Sequence, residues 1–189
     1  KVGQLLRNPE DPKPAFEQFE KALILRKKNG RKEYLTIDYI ANAHYYLGNY
    51  ETAIEFFQKE VELIQTALDK TPVPPNEASL TQKQIVFLEV SVLRTSLAKT
   101  LLTIAQINAL RGKFSSTEKT IADVLKITEQ IKAEETKADE SISPILLLCR
   151  VSIEALITRL RGRLFEIQDK ESEAAAEFEK SANIFNQIS

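Results

Sequence analysis

From Glu77 to Arg111 the chain carries neither glycine nor proline, and nothing else in the sequence narrows its possible folds so far. The two residues that most disfavour a helix interior are missing from a segment of mostly good helix formers. One helix of that length would extend about 52 Å at ~1.5 Å per residue. A break near Arg94 would make it two, and both remain open. The five glycines and seven prolines fall mostly in four short places, so the other segments are uninterrupted too. No sustained apolar/polar alternation bounded by turn residues marks a strand. The chain reads as all-α.

Helix boundaries follow from the breakers. A stub, Lys1 to Arg7, ends at Asn8-Pro9-Glu10-Asp11-Pro12. A helix over Lys13–Lys28 stops at Asn29-Gly30, and another runs from Arg31 to Leu47. Asn49, after Gly48, can cap a helix from Glu51 to about Asp69. Residues 71–76 form a proline-rich loop, with Asn76 expected to cap the segment starting at Glu77. Ser115-Ser116-Thr117-Glu118 has capping-box spacing and is expected to open a helix to about Ala138. The polar stretch Glu134 to Ser143 reads as a loop or frayed end. Ser143-Pro144 is a cap and a first-turn proline, opening a helix to about Gln168. A last helix is expected over Glu171–Ile188.

Charge and composition exclude several classes. Lys plus Arg (26) nearly balance Asp plus Glu (27), with a sequence pI near 6.0, whereas nucleic-acid binders show a basic excess or stripe. No run reaches the 18 or so apolar residues of a membrane span, so no membrane insertion is expected. The single cysteine, Cys149, cannot form an intrachain disulfide. No charged-then-apolar leader opens the sequence. A cytoplasmic protein is expected, and a fragment of a longer one, because the chain starts with Lys1, contains no Met and begins within a motif.

Four segments share one internal pattern. Lys1–Leu25 holds Gly3, Pro12, Ala15, Phe19 and Ala22. Tyr34–Ala67 holds Ala41, His44, Gly48, Tyr50, Ala53, Phe57 and Val61. Ala98–Ile131 holds Ala105, Leu110, Gly112, Phe114, Thr117, Ile121 and Val124. Ala155–Ile188 holds Gly162, Phe165, Asp169, Ala174, Phe178 and Ser181. A small residue lets another helix approach; a tight turn, a second small residue and a large knob follow. Such a hairpin leaves an apolar face open, which the next one covers.

The run Tyr46-Leu47-Gly48-Asn49-Tyr50-Glu51-Thr52-Ala53-Ile54-Glu55-Phe56-Phe57-Gln58-Lys59 resembles the turn and second helix of a tetratricopeptide repeat (TPR). Phe16-Glu17-Gln18-Phe19-Glu20-Lys21-Ala22-Leu23 resembles the second helix of the repeat before it. The later repeats are degenerate, with Thr117 in place of alanine and Asp169 in place of the turn glycine. Ala15 and Ala53 lie 38 residues apart, against ~34 in a TPR; Ala53 to Thr117 spans 64 and Thr117 to Ala174 spans 57. Elongated helices are the favoured account over a hidden helix pair. The resemblance implies antiparallel helical hairpins stacked as a right-handed TPR-like solenoid with elongated helices in the C-terminal half. It implies one domain over 1–189, with repeats at about 1–28 (partial), 31–70, 77–139 and 143–189.

No catalytic apparatus is legible, and neither a metal site nor a cofactor is expected. His44 and Cys149 are the only residues of their kinds, so no Cys/His zinc site can be assembled. His44 falls where the TPR pattern has a buried aromatic and is expected to pack there. Cys149 lies in the apolar run Ile145–Val151 and reads as an inert core thiol. No glycine loop cradles phosphate. Glu134-Glu135 and Asp139-Glu140 are expected to be solvated, without the shielding a catalytic carboxylate needs. Lys27-Lys28 with Arg31-Lys32 form a small basic cluster that reads as a charged helix end.

In TPR proteins the first helices of successive repeats line a concave groove. By resemblance this places Gln4, Arg7, Asp38, Asn42, Tyr45, Lys99, Gln106, Arg159 and Arg163 on the inner face. Four are cationic and one is acidic, and Arg suits bidentate carboxylate contacts, so a protein or peptide partner of acidic character is expected. The chaperone-tail clamp of cochaperone TPRs is not matched: Asn42 fits, but Asp38, Thr103, Leu156 and Leu160 stand where its other polar and cationic residues belong. The chain is expected to be a protein–protein interaction scaffold and not an enzyme. The alternative is a regulatory or architectural TPR arm of a larger enzyme, of signalling or caspase-like peptidase type. Self-association through the long helices, whose residues from Ile85 to Leu110 are rich in apolar positions, is the third option.

Overall fold

The computed structural model describes residues 13–28, 33–72, 74, 77–136, 138 and 142–186. These contain seven helices and no strand: α1 (Lys13–Lys28), α2 (Tyr34–Tyr46), α3 (Tyr50–Lys70), α4 (Leu80–Leu110), α5 (Phe114–Glu135), α6 (Ser143–Ile167) and α7 (Glu171–Asn186). The expected stub, the Asn29-Gly30 stop and the Asn76 cap lie outside the described residues. The segment free of breakers is one helix of 31 residues, unbroken at Arg94.

Several expected boundaries are corrected. The helix after the proline loop starts at Leu80 and not at Glu77, because Ser79 closes a capping box. Its hydroxyl accepts from Gln82 N–H at 3.3 Å, and the Gln82 side chain accepts from Ser79 N–H at 3.0 Å. At Ser115–Glu118 no such box forms. Lys113 takes the cap position without a side-chain bond, and Phe114 is already helical. Thr117 N–H bonds Lys113 O at 3.1 Å, so the helical ladder has already begun before Ser115 could cap it. Before α6 the cap residue is Ile142, with Ser143 the first helical residue. The stretch from Glu134 is not wholly loop, since α5 continues through Glu135.

Contacts divide the chain into two compact units, Lys1–Ile64 and Gln65–Ser189, with the division inside α3. In the first, Phe19, Ile40 and Ala43 form a core flanked by Phe16, Leu23 and Phe56. His44 takes the aromatic role expected of it: its ring lies 4.5 Å from Phe16 and 5.5 Å from Phe56. The second unit is built on Ala98, Leu102, Ala105, Ile121, Val124, Ile153, Ile157 and Leu160, with Cys149 packed at the edge. Each fully buried Ile or Leu side chain contributes about 1.5–3 kcal/mol. Shortening Ile157 alone to alanine would remove about 2–5 kcal/mol.

Three turns share one geometry. Gly48, Gly112 and Asp169 have φ of 76°, 72° and 57°, the left-handed conformation that ends many helices. The N–H of the following residue reaches back five positions: Asn49 to His44 O at 2.9 Å, Lys113 to Asn108 O at 2.8 Å, Lys170 to Phe165 O at 2.9 Å. The next helix begins at once, with Ala53, Thr117 and Ala174 N–H bonded to Asn49, Lys113 and Lys170 O. Small residues recur seven before each turn residue (Ala41, Ala105, Gly162) and five after it (Ala53, Thr117, Ala174), all buried. Thr117, which stands where the other repeats have alanine, and Ser181 donate their hydroxyls to Ala105 O (3.2 Å) and Ala155 O (2.8 Å) of the facing helix.

Within the second unit, α4 packs on α5 and α6, and α6 on α5 and α7. The tight turn makes α4 and α5 antiparallel. Arg150, early in α6, reaches back to Glu135 at the end of α5, so α6 is antiparallel to α5 as well. α4 and α6 therefore run parallel, side by side.

Candidate functional site

The nine residues expected on an inner face are distributed over both units. Gln4 and Arg7 lie outside the described residues. In the first unit Asn42 is engaged locally: its amide donates to Asp38 Oδ1 at 2.7 Å and to Asp38 O at 2.8 Å. Burial raises the Asp38 carboxyl above its ordinary range, and the bond from Asn42 pulls it the other way. This i, i+4 pair holds its own polar groups. The half-buried Tyr45 has its ring 5.4 Å from Tyr46 and 5.9 Å from Tyr50.

The remaining four lie in the second unit, on α4 and α6. At about 100° per residue, Lys99, Thr103 and Gln106 share a stripe of α4, and Arg159 and Arg163 a stripe of α6. Lys99 and Arg159 are exposed and make no ion pair among the described residues. Arg163 donates to Glu166 one turn on, at 2.7 Å. Thr103, at a clamp position, donates to Lys99 O at 3.0 Å, and Leu160 is buried in the core.

The same two stripes continue toward the helix N-termini as apolar surface. On α4 they carry Ile85 (59% exposed), half-buried Leu88 and Val92 (47%); on α6, Ile145 (43%) and Leu148 (48%). Because α4 and α6 are parallel and in contact, the N-terminal halves that carry these apolar residues neighbour each other, as do the C-terminal halves that carry Lys99 and Arg159. These apolar residues were not among those expected at the site. Their spacing of three, four and seven residues was the signal, but it also describes a core face.

Of the carboxylates expected to be solvated, Glu134 and Glu135 are paired instead, and Asp139 and Glu140 lie outside the described residues. Glu134 pairs with Arg94 across α5 and α4, and Ser91 Oγ donates to it at 3.2 Å. Glu135 accepts from Arg150 at 2.8 Å, and Arg150 also donates to Glu154 at 2.9 Å. These side chains are mostly buried, and the pairing raises the Arg150 pKa, chiefly through Glu135. The Arg94–Glu134 pair borders a cleft of about 510 Å³ walled by Val86, Phe87, Val90 and Ile127. The bordering pair is already satisfied, which makes it a clasp between helices.

Among the described residues, no three His, Cys, Asp or Glu side chains converge on a point that could hold a metal ion. No helix among them is long and apolar enough to cross a membrane. In comparisons with known proteins, no family model matches the chain and no curated protein matches it.

Proposed function

We propose that the chain is a TPR-like helical-repeat scaffold that binds a segment of another protein rather than catalysing a reaction. Its hairpins stack as a right-handed solenoid with lengthened helices in the second unit. The threefold recurrence of one turn, with small residues seven before and five after it, supports this architecture. The observation that carries the function is the two-toned α4–α6 surface: apolar beside the N-terminal halves, cationic at Lys99 and Arg159 beside the C-terminal halves. A partner segment fitting it presents leucine-like side chains at one end and carboxylates at the other. Its apolar end supplies most of the affinity, and the exposed charges supply register and a salt-dependent on-rate.

A library of amphipathic peptides probed with purified wild type, Lys99→Glu/Arg159→Glu and Ile85→Asp/Leu148→Asp tests this. Wild type should retain peptides that join an aliphatic cluster to an acidic one, and each double variant should lose them. Equal retention by all three proteins would overturn the assignment.

The exposure of Leu80, Ile85 and Val92 on one helix favours a second reading, self-association through α4. Sedimentation showing only monomer at high concentration removes it. A regulatory arm of a larger enzyme would use the same surface, and the full reading frame discriminates that case.

A further inference from the structure

Three arginines of the second unit are half-buried, and only two of them have a carboxylate. Arg94 has Glu134, and Arg150 has Glu135 and Glu154. Arg161 makes no ion pair among the described residues, although it lies in α6 with its side chain partly withdrawn from water. Two residues from both Arg159 and Arg163, it points roughly 200° away from them around the helix. It therefore belongs to a different face from the α4–α6 stripe.

On that face a cavity of about 350 Å³ lies between the start of α5, the end of α6 and the turn before α7. Leu125, Leu164 and Phe165 supply apolar wall, Arg161 and Lys170 supply positive charge, and Glu118 is the one carboxylate. Leu125 is 37% exposed, an aliphatic side chain left open to solvent. Lys170 Nζ stands 5.7 Å from the centroid of the Phe165 ring, which holds the ammonium beside the cavity. A partly buried guanidinium is stabilised when its planar fork meets a carboxylate, and among the described residues no carboxylate, Glu118 included, forms an ion pair with Arg161.

We infer that this cavity is a second docking site, for an acidic segment of a partner protein in which an aliphatic side chain neighbours a carboxylate. The carboxylate completes Arg161, with Lys170 adding to the positive field. The aliphatic side chain covers Leu125 and the exposed edge of Phe165. The volume is at the lower end of what ligand pockets hold, enough for a few side chains and not for a folded surface. The inference is independent of the α4–α6 reading.

The test is a titration of the ¹⁵N-labelled full chain with the peptide acetyl-Glu-Leu-Glu-Leu-Glu-amide, followed amide by amide. Saturable shifts are expected at Ala122, Leu125, Arg161 and Phe165. The glutamine counterpart of the peptide should bind about tenfold more weakly or worse, the loss expected when a charge-assisted pair is neutralised. Arg161→Gln should lose a similar factor. Leu125→Asp, a change at an exposed rim position, should weaken binding even if Arg161→Gln fails to fold. Absence of saturable shifts at these amides, or equal affinity for the glutamine peptide, would overturn the inference. Shifts confined to the α4–α6 stripe would also overturn it while supporting the first site.

Discussion

Phe178 occupies the space that a methyl group on Gly162 would need: its Cε1 lies 2.7 Å from the ideal Cβ position and its Cδ1 2.8 Å. Gly162→Ala should therefore destabilise the second unit by about 1–2 kcal/mol net. Overpacking costs about 1–3 kcal/mol, and the better helix propensity of alanine returns about 0.5–1 kcal/mol. Phe178→Leu should restore part of the loss in the Gly162→Ala background. Urea melts of the double-mutant cycle check this, and strict additivity would show that the two residues do not share the space.

The turn residues behave differently. A Cβ on Gly112 would meet nothing within 4 Å, so Gly112→Ala should cost only the left-handed backbone penalty, about 1 kcal/mol. Asp169 already bears that penalty at φ 57°. Asp169→Gly should stabilise the chain by about 0.5–1 kcal/mol, less the entropy that glycine adds to the unfolded state. Paired thermal melts should shift in opposite directions.

Burial lowers the His44 pKa below the ordinary 6.5. The unfolded chain therefore takes up the proton first as pH falls. The contribution of His44 to folding is complete above about pH 6.5 and is lost as pH falls through the lower, folded value. Hydrogen exchange of α2 amides should accelerate more between pH 7.5 and 5 in wild type than in His44→Phe, after correction for intrinsic rates. Equal pH dependence would show that the Phe16 and Phe56 rings do not disfavour the imidazolium.

Arg150→Met leaves Glu135 and Glu154 facing each other without their shared cation. A loss of about 1–3 kcal/mol is expected, because truncating one partner of a mostly buried pair strands the other. Glu154→Gln, which removes the more exposed partner, should lose clearly less. Chemical denaturation of the three proteins ranks them.

Much of the architecture was legible because breakers set helix ends. Gly48, Gly112 and Asp169, aligned through the small residues around them, located three turns that share one conformation. What the sequence could not reveal were choices between equivalent local patterns. Ser79–Gln82 and Ser115–Glu118 both have capping-box spacing. Only the first lies where the chain enters a helix from a loop; the second is pre-empted by the turn at Gly112. Glu134 and Glu135 sit in a polar run that reads as solvated, and their arginine partners lie far away in sequence at Arg94 and Arg150. On the expected inner face, Asn42 turned out to be committed to Asp38, a bond that spacing allows but does not require. The apolar continuation of the stripe was hidden for the opposite reason, since exposed and buried leucines carry the same periodicity.

The three turns also explain how so irregular a spacing can coexist with so regular a pattern. Every matched position counts from the left-handed residue, and helix length on either side is unconstrained by it. α2 and α3 have 13 and 21 residues, α4 and α5 have 31 and 22, α6 and α7 have 25 and 16. Each hairpin is thus registered at its closed end and free to grow at its open one. Insertions there lengthen the helices while leaving the joint untouched.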